Sequence, residues 1–324
     1  MHSFKELQQI VEKHLKKIEF NTGPKELYEP VKYILGIGGK RIRPSLVLAA
    51  YNLYKDDVEN AIYPALALEV FHNFTLLHDD IMDKADLRRN QQSVHKKWNE
   101  NIAILSGDAM SIKAYEILSK IPAEFLAEVL QDFNKTALEV CEGQQLDMNF
   151  ENRLDVTVDE YIEMIRLKTS VLIAVSLKIG AIMANASKND ARKLYDFGLN
   201  LGLAFQLQDD YLDAYGDIHV FGKKIGGDIV ANKKTFLLIN ALETADKEIA
   251  EELQHLMKNT DIDEEQKIKA VLGIFNKLNV DNLLKEKMVS YYNRALEAME
   301  SLSIGQERTV VLKEFAGTLM NRVS

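Results

Sequence analysis

Three features of the sequence predict an all-α fold. No proline follows Pro122 in a chain of 324 residues, and because proline breaks helix interiors its absence permits long helices. Apolar residues recur at helical spacing around Leu46 and Leu53, and again at Ile162, Ile165, Leu172 and Val175. Strand-length alternation of apolar and polar residues is hard to find, and the Asn-Gly and Asp-Gly pairs that close hairpins do not occur. With helices averaging about 11–12 residues, the chain holds roughly ten or more of them. The polar stretch 259–266 reads as a loop leading into another helix and is too short for an interdomain tether. No low-complexity tract or solenoid repeat is present, so residues 1–324 read as a single domain, a helical bundle.

Composition narrows the function. The chain carries 49 acidic and 40 basic side chains, a formal charge of −9, which argues against general attraction to a nucleic-acid backbone. A single cysteine, Cys141, excludes an internal disulfide framework and any multi-thiolate zinc site. The start, Met-His-Ser-Phe-Lys-Glu-Leu, lacks the apolar stretch of a signal peptide, and the most apolar run, Val171 to Ala184, is interrupted by Lys178 and too short to span a bilayer. The expectation is a soluble cytoplasmic protein with no membrane span.

Taken in chain order, the chemistry begins at Gly38-Gly39-Lys40-Arg41-Ile42-Arg43-Pro44, three basic residues beside two glycines that allow a backbone to approach an anion closely. It is not a Walker A loop, whose spacing is absent. Next comes Leu76-Leu77-His78-Asp79-Asp80-Ile81-Met82-Asp83, and later Phe205-Gln206-Leu207-Gln208-Asp209-Asp210-Tyr211-Leu212-Asp213. Each places aspartates at i, i+1 and i+4 within an apolar segment, so Asp79 aims with Asp83, and Asp209 with Asp213, from one helix face. Two carboxylates about 5.5 Å apart repel by roughly 3 kcal/mol at an effective dielectric of about 20. A solvated acidic face explains one such cluster readily and two matching ones poorly; a bound cation explains both. Oxygen ligands suit a hard cation, and Mg²⁺ is commonly held by one or two carboxylates plus substrate phosphates. Each acidic cluster is followed by a basic one: Arg88-Arg89 after the first, Lys223-Lys224 with Lys233 and Lys234 after the second. Arginine forks match diphosphate oxygens, although alternating surface charge is the plainer account of any one group.

Together these motifs resemble the trans-isoprenyl diphosphate synthases, the polyprenyl synthetase family, in its short-chain geranylgeranyl or farnesyl diphosphate type. The resemblance runs through Gly38 to Pro44, Glu69-Val70-Phe71-His72, Asp79 to Asp83 with Arg88-Arg89, Gly143-Gln144-Gln145-Leu146-Asp147, Leu167-Lys168-Thr169, Phe205 to Asp213 and Lys224 to Asp228. It departs at Asn90, where the family usually has glycine, and at Gln92-Ser93, where Pro-Thr often follows. The resemblance implies an isoprenoid-synthase bundle around a deep cavity, a homodimer, and Mg²⁺-dependent prenyl transfer. In that reaction isopentenyl diphosphate condenses head-to-tail with an allylic diphosphate by ionisation, condensation and elimination, releasing diphosphate. It further implies that Asp79, Asp83 and Asp209 hold several Mg²⁺ ions jointly with the allylic diphosphate. Asp80, Asp147, Asp210 and Asp213 are less directly involved, as further metal ligands or as supports. Arg88, Lys168, Lys224 and Lys233 would contact the allylic diphosphate; Lys40, Arg43, His72 and Arg89 would hold isopentenyl diphosphate. Lys168, Thr169 and Gln206 lie by the same carry-over near the cationic carbon.

Product length is read along the helix before the first motif. In the family, an aromatic four residues before it tends to stop growth at fifteen carbons; here that residue is Thr75, which is small. Phe74 and Phe71 are the bulky candidates for a floor, or are simply core, and twenty carbons is favoured over fifteen. Two rivals share the fold: a non-catalytic subunit of a heteromeric synthase, which would be expected to lose motif aspartates, and a class I terpene cyclase, which has no use for an isopentenyl diphosphate site.

Overall fold

The computed structural model describes residues 1–20, 23–216, 225–259 and 261–320. Its chain forms two compact units: Met1–Phe133 with Val175–Leu194 and Ser303–Val311, and Asn134–Ala174 with Tyr195–Leu302 and Leu312–Ser324. Among the described residues the only strands are a pair of two-residue strands, and the rest of the regular structure is helical. No helix among them is long and apolar enough to cross a membrane.

The first unit opens with α1 (Phe4–Leu15), started by a capping box in which the Ser3 hydroxyl accepts from the Glu6 amide and the Glu6 carboxylate accepts from the Ser3 amide. Leu7, Val11 and Leu15 form its buried stripe. After α2 (Lys25–Gly36) the chain turns through Gly38 (φ +86°), Gly39 (φ +143°) and Arg41 (φ +46°) into α3 (Ile42–Asn52). Pro44 stands in the first turn of α3 and Pro64 in the first turn of α4 (Ile62–Met82), where a missing N–H removes no helical bond. Every α4 residue from Pro64 to Phe71 is buried, so this helix carries core on all sides there and acts as the unit's spine. Burying one large apolar side chain contributes about 1.5–3 kcal/mol, and α4 does so repeatedly against α3 and against α6 (Glu100–Leu118), which follows the short α5 (Val94–Lys97).

Between α4 and α6 lies the hairpin that the sequence did not signal: Leu87–Arg88 pairs with Gln91–Gln92, and Arg89 (φ +54°) and Asn90 (φ +61°) form its turn. Positive φ at both central residues is the type I′ pattern. Asparagine tolerates that conformation, so Asn90 fills a place where the family that the sequence resembles usually has glycine.

In the second unit, α8 (Val158–Ile165) starts with a Thr157–Glu160 capping box and runs into a single π-helical turn, Arg166–Ser170, which leads into α9 (Val171–Met183). Of the long helices α7 (Ala123–Phe150) and α10 (Lys188–Tyr215), the parts from Asn134 and from Tyr195 onward belong to this unit. Phe150, Tyr161, Leu207, Phe236, Leu253 and Phe275 belong to one buried apolar cluster with the C-terminal helices. The stretch 259–266, read from the sequence as a loop, is helical from Glu264: Asp263 caps the helix Glu264–Lys277 by accepting from Glu265 and Gln266.

Candidate active site

Four of the predicted residues line one cavity of about 400 Å³ in the first unit: Lys40, Arg43, His72 and Arg89, with Gly39 and Arg41 beside them. The turn that forms it explains the glycines. A Cβ on Gly39 would lie 2.5 Å from Nη1 of Arg89, so the guanidinium rests directly on the glycine backbone. Arg43 Nη1 donates to His72 Nε2 at 2.9 Å, which places the ring proton on Nδ1. Burial, then the charges of Arg43, Arg89, Arg88 and Arg41, hold His72 well below the usual imidazole range, so it is a neutral acceptor at pH 7. Burial lowers Arg43 to about 10, leaving it cationic, and its Nε is buried with no hydrogen-bond partner. A buried charged donor with a vacant hydrogen bond beside other cations is what an anion would satisfy.

Arg41 differs from its neighbours. It is 4% exposed and donates to Glu69 at 2.7 Å, to the Leu35 carbonyl at 2.6 Å and to Glu12 at 3.0 Å. Glu69, 2% exposed, also accepts from Asn73 at 3.0 Å. This buried pair fixes the glycine turn to α1 and α4, so Arg41 lines the cavity with its guanidinium committed to the wall. Sequence reasoning passed over both Arg41 and Glu69 as individual residues; a glutamate inside an apolar helix was the available signal.

At the end of α4, Asp79 and Asp83 stand one turn apart, with the Asp83 amide donating to the Asp79 carbonyl at 2.9 Å. Asp80 points elsewhere: it is 1% exposed and takes Arg88 Nε at 2.9 Å and Nη2 at 2.5 Å. The same Nη2 is 3.8 Å from Asp79. Burial raises Asp80 above the usual carboxylate range while Arg88 opposes the shift. Lower on α4, Phe71 is buried edge-on to Phe133 with ring centroids 5.0 Å apart, and Phe133 meets Tyr115 at 5.2 Å. Phe74 packs on Phe71 at 5.5 Å and on His78 at 4.8 Å. The Thr75 hydroxyl donates to the His72 carbonyl at 2.8 Å, folding that side chain against its own helix.

In the second unit the π turn carries Lys168 and Thr169. Two glycines let neighbouring helices close on it. A Cβ on Gly143 would lie 2.3 Å from the Lys168 amide nitrogen, and one on Gly202 would lie 2.7 Å from Ser170 Cα. Lys168 Nζ meets Asp147 at 2.5 Å. Thr169 donates to Gln206 Oε1 at 3.2 Å, and Gln206 Nε2 donates to Asp210 Oδ1 at 3.4 Å. Asp210, 5% exposed, also accepts from the Tyr161 hydroxyl and from the Phe236 amide at 3.3 Å. Burial and the nearby Asp228 raise it to about 7. Asp209 and Asp213 share a half-buried face of α10, and Asp213 accepts from the Asp228 amide at 2.9 Å. Lys233 is exposed, its amide donating to the Asp228 carbonyl at 2.9 Å; Lys224 lies outside the described residues. Tyr161 is the residue that sequence reading missed here, since only its apolar body is legible.

Among the described residues, no three carboxylate, imidazole or thiolate groups converge closely enough to enclose a metal. The donors are oxygen only and come as pairs one helical turn apart, which fits a hard cation whose remaining ligands come from a phosphorylated substrate.

A helical scaffold that gathers guanidinium and ammonium groups at one cavity and pairs aspartates on helix faces is suited to holding phosphorylated anions together with a hard cation. Comparison makes this specific. The model of the polyprenyl synthetase family matches residues 24–275. The chain is 40% identical to the short chain isoprenyl diphosphate synthase of Methanocaldococcus jannaschii, covering 92% of this chain and 90% of that protein. It is 38% identical to the geranylgeranyl diphosphate synthase of Methanosarcina mazei, covering 90% and 89%. A crystal structure of a geranylgeranyl pyrophosphate synthase superposes with a TM-score of 0.94 at 45% identity, covering 100% of both chains. The chain belongs to the polyprenyl synthetase family, prenyltransferases that condense isopentenyl diphosphate with allylic diphosphates and use a divalent metal.

Proposed function

We propose that this enzyme extends an allylic diphosphate to a twenty-carbon all-trans product, using Mg²⁺, and that the residues above take the following parts. Lys40, Arg43 and Arg89 receive the diphosphate of isopentenyl diphosphate, with neutral His72 holding Arg43 in place. The gathering of these four side chains at one cavity is the observation that carries the reading. In the first unit Asp79 and Asp83 are metal ligands, and Arg88, anchored on Asp80, offers its remaining donors to diphosphate oxygens. In the second, Asp209 is the metal ligand, with Lys168, Lys233 and Lys224 as cationic groups. Magnesium, when bound, supplies positive charge against the negative charge that builds on the departing diphosphate.

The allylic carbon–oxygen bond breaks with its electron pair leaving on diphosphate. Thr169 and Gln206 turn oxygen lone pairs toward the resulting cation, a preorganised stabilisation of charge. The double bond of isopentenyl diphosphate forms the new carbon–carbon bond, and the proton lost in elimination goes to the released diphosphate. Phe71 and Phe74, backed by Phe133 and Tyr115, form the floor against which the growing chain stops. A homodimer is supported by exposed apolar side chains on α6, with Leu105 59% and Ile112 71% exposed one heptad apart.

The test is a product assay. Purified protein is incubated with isopentenyl diphosphate and each short allylic diphosphate in turn, with Mg²⁺ or with EDTA, and products are read by mass spectrometry. A metal-dependent twenty-carbon product is expected. A discrete product of another length would overturn the floor assignment, and no elongation by folded protein would overturn the reading as a whole.

A further inference from the structure

We infer that Tyr161, which belongs to no motif, is a positioning residue for the condensation: through Asp210 it sets the orientation of Gln206 and Thr169. The inference rests on the catalytic reading of those two residues given above.

Tyr161 lies on α8, 2% exposed, ahead of the π turn that carries Thr169. Its hydroxyl donates to Oδ2 of Asp210, and the Phe236 amide donates to the same oxygen at 3.3 Å. Two donors from different helices thus fix the rotation of the carboxylate and present Oδ1 to Gln206, which donates to it through Nε2 at 3.4 Å. With Asp210 ionised, both of its oxygens accept and the amide has only one sense. Turned over, its carbonyl oxygen would oppose a carboxylate oxygen; as found, the carbonyl faces Thr169 and accepts that hydroxyl's one proton at 3.2 Å.

Donation therefore converges on Asp210: Tyr161 gives to one of its oxygens, and Thr169 gives to Gln206, which gives to the other. With its proton committed, the Thr169 oxygen keeps its lone pairs for a positive charge. Loss of the Tyr161 hydroxyl leaves Oδ2 with the Phe236 amide alone. The carboxylate can then rotate, the Gln206 amide can turn over, and the Thr169 proton can face the cation it is meant to stabilise. Coupled polar lines of this kind act as units, so their members are non-additive when mutated.

The experiment is a cycle on the full-length enzyme. Elongation kinetics and thermal unfolding are measured for wild type, Tyr161→Phe, Gln206→Leu and the double variant. Tyr161→Phe is expected to lower kcat about ten-fold while KM for isopentenyl diphosphate stays within about two-fold, a split that a loss of fold would not give. In the Gln206→Leu background the same change is expected to lower kcat by less than about two-fold. Wild-type kcat in Tyr161→Phe, or a full second loss in the double variant, overturns the inference. If Tyr161→Phe does not fold, Asp210→Asn takes its place. It offers Gln206 an NH₂ group and should turn the amide over, so a kcat loss absorbed by Gln206→Leu supports the line and an unchanged kcat overturns it. A wild-type protein that does not elongate overturns the catalytic reading and this inference together, whereas an active wild type matched by Tyr161→Phe overturns only the inference.

Discussion

Replacing Gly39 by alanine tests the basic cavity without removing a charge. The added Cβ would stand 2.5 Å from Nη1, 2.7 Å from Cζ and 2.8 Å from Nη2 of Arg89. Relief to an ordinary contact requires a shift of roughly 1 Å, since carbon contacts settle near about 3.5 Å. The obstacle is the tip of a flexible side chain, so Arg89 moves and the surrounding backbone stays. Residue 39 also sits at φ +143°, a region open to glycine and strained for alanine by about 1–3 kcal/mol. Two separable effects follow. Thermal unfolding should show a modest loss of stability. In steady-state kinetics, displacing the guanidinium removes a charge-assisted hydrogen bond worth about 1.5–3 kcal/mol. At about 1.4 kcal/mol per factor of ten, KM for isopentenyl diphosphate should rise about ten-fold to a hundred-fold. KM for the allylic diphosphate should stay put. Arg89→Gln should reproduce the kinetic effect, and the double variant should be no worse than Arg89→Gln alone. A Gly39→Ala protein that melts earlier yet keeps its KM, or whose two KM values rise together, would refute the assignment of this cavity.

Three further outcomes are expected. Gly143→Ala meets a backbone nitrogen at 2.3 Å and not a mobile tip, so a melting curve should show a larger loss than Gly39→Ala, and kcat should fall as the Lys168–Thr169 turn is displaced; unchanged melting would mean that α7 and the turn separate freely. Phe74→Ala should lengthen the product seen by mass spectrometry, and Phe71→Ala should do so at a stability cost of about 3–5 kcal/mol, because it empties a packed aromatic cluster; unchanged product from both would place the floor elsewhere. His72 should make the fold acid-sensitive: its folded pKa lies below the ordinary value, so the folded state binds fewer protons, and stability is lost as pH falls below about 6.5. Asp210, raised to about 7, contributes with the opposite sign, its stabilisation fading as pH rises toward 7. It is common to wild type and His72→Gln, so the difference between their Tm values across pH 5 to 7 isolates His72, and equal slopes would refute its role.

What could be read from the sequence was whatever local spacing encodes. Helical period and the missing prolines fixed the fold class, and the i, i+4 rule put Asp79 with Asp83, and Asp209 with Asp213, on shared faces. What could not be read depends on partners far along the chain or on backbone conformations without a composition signal. Arg41 and Arg43 look equivalent in Gly38 to Pro44. Only the left-handed turn at Arg41 sends one guanidinium to Glu69, 28 residues on, and leaves the other at the cavity. The Arg89–Asn90 turn and the π turn at Arg166–Ser170 carry no glycine or proline to announce them.

The middle aspartates show where the same rule reached further than it was taken. A residue at i+1 lies about 100° around the helix from the paired face, and on an apolar helix that direction is inward. Asp80 and Asp210 are accordingly 1% and 5% exposed. A buried carboxylate must find donors, so each motif demanded a partner that the spacing itself did not name. The two were met differently. Asp80 has a guanidinium from the following hairpin, whose charge opposes the burial shift, whereas Asp210 has a neutral phenol and a backbone amide and rises to about 7. Two motifs identical in pattern therefore bury carboxylates of different electrostatic character. The difference lies in Arg88, a motif residue whose charge opposes one shift, and in Asp228, whose charge adds to the other.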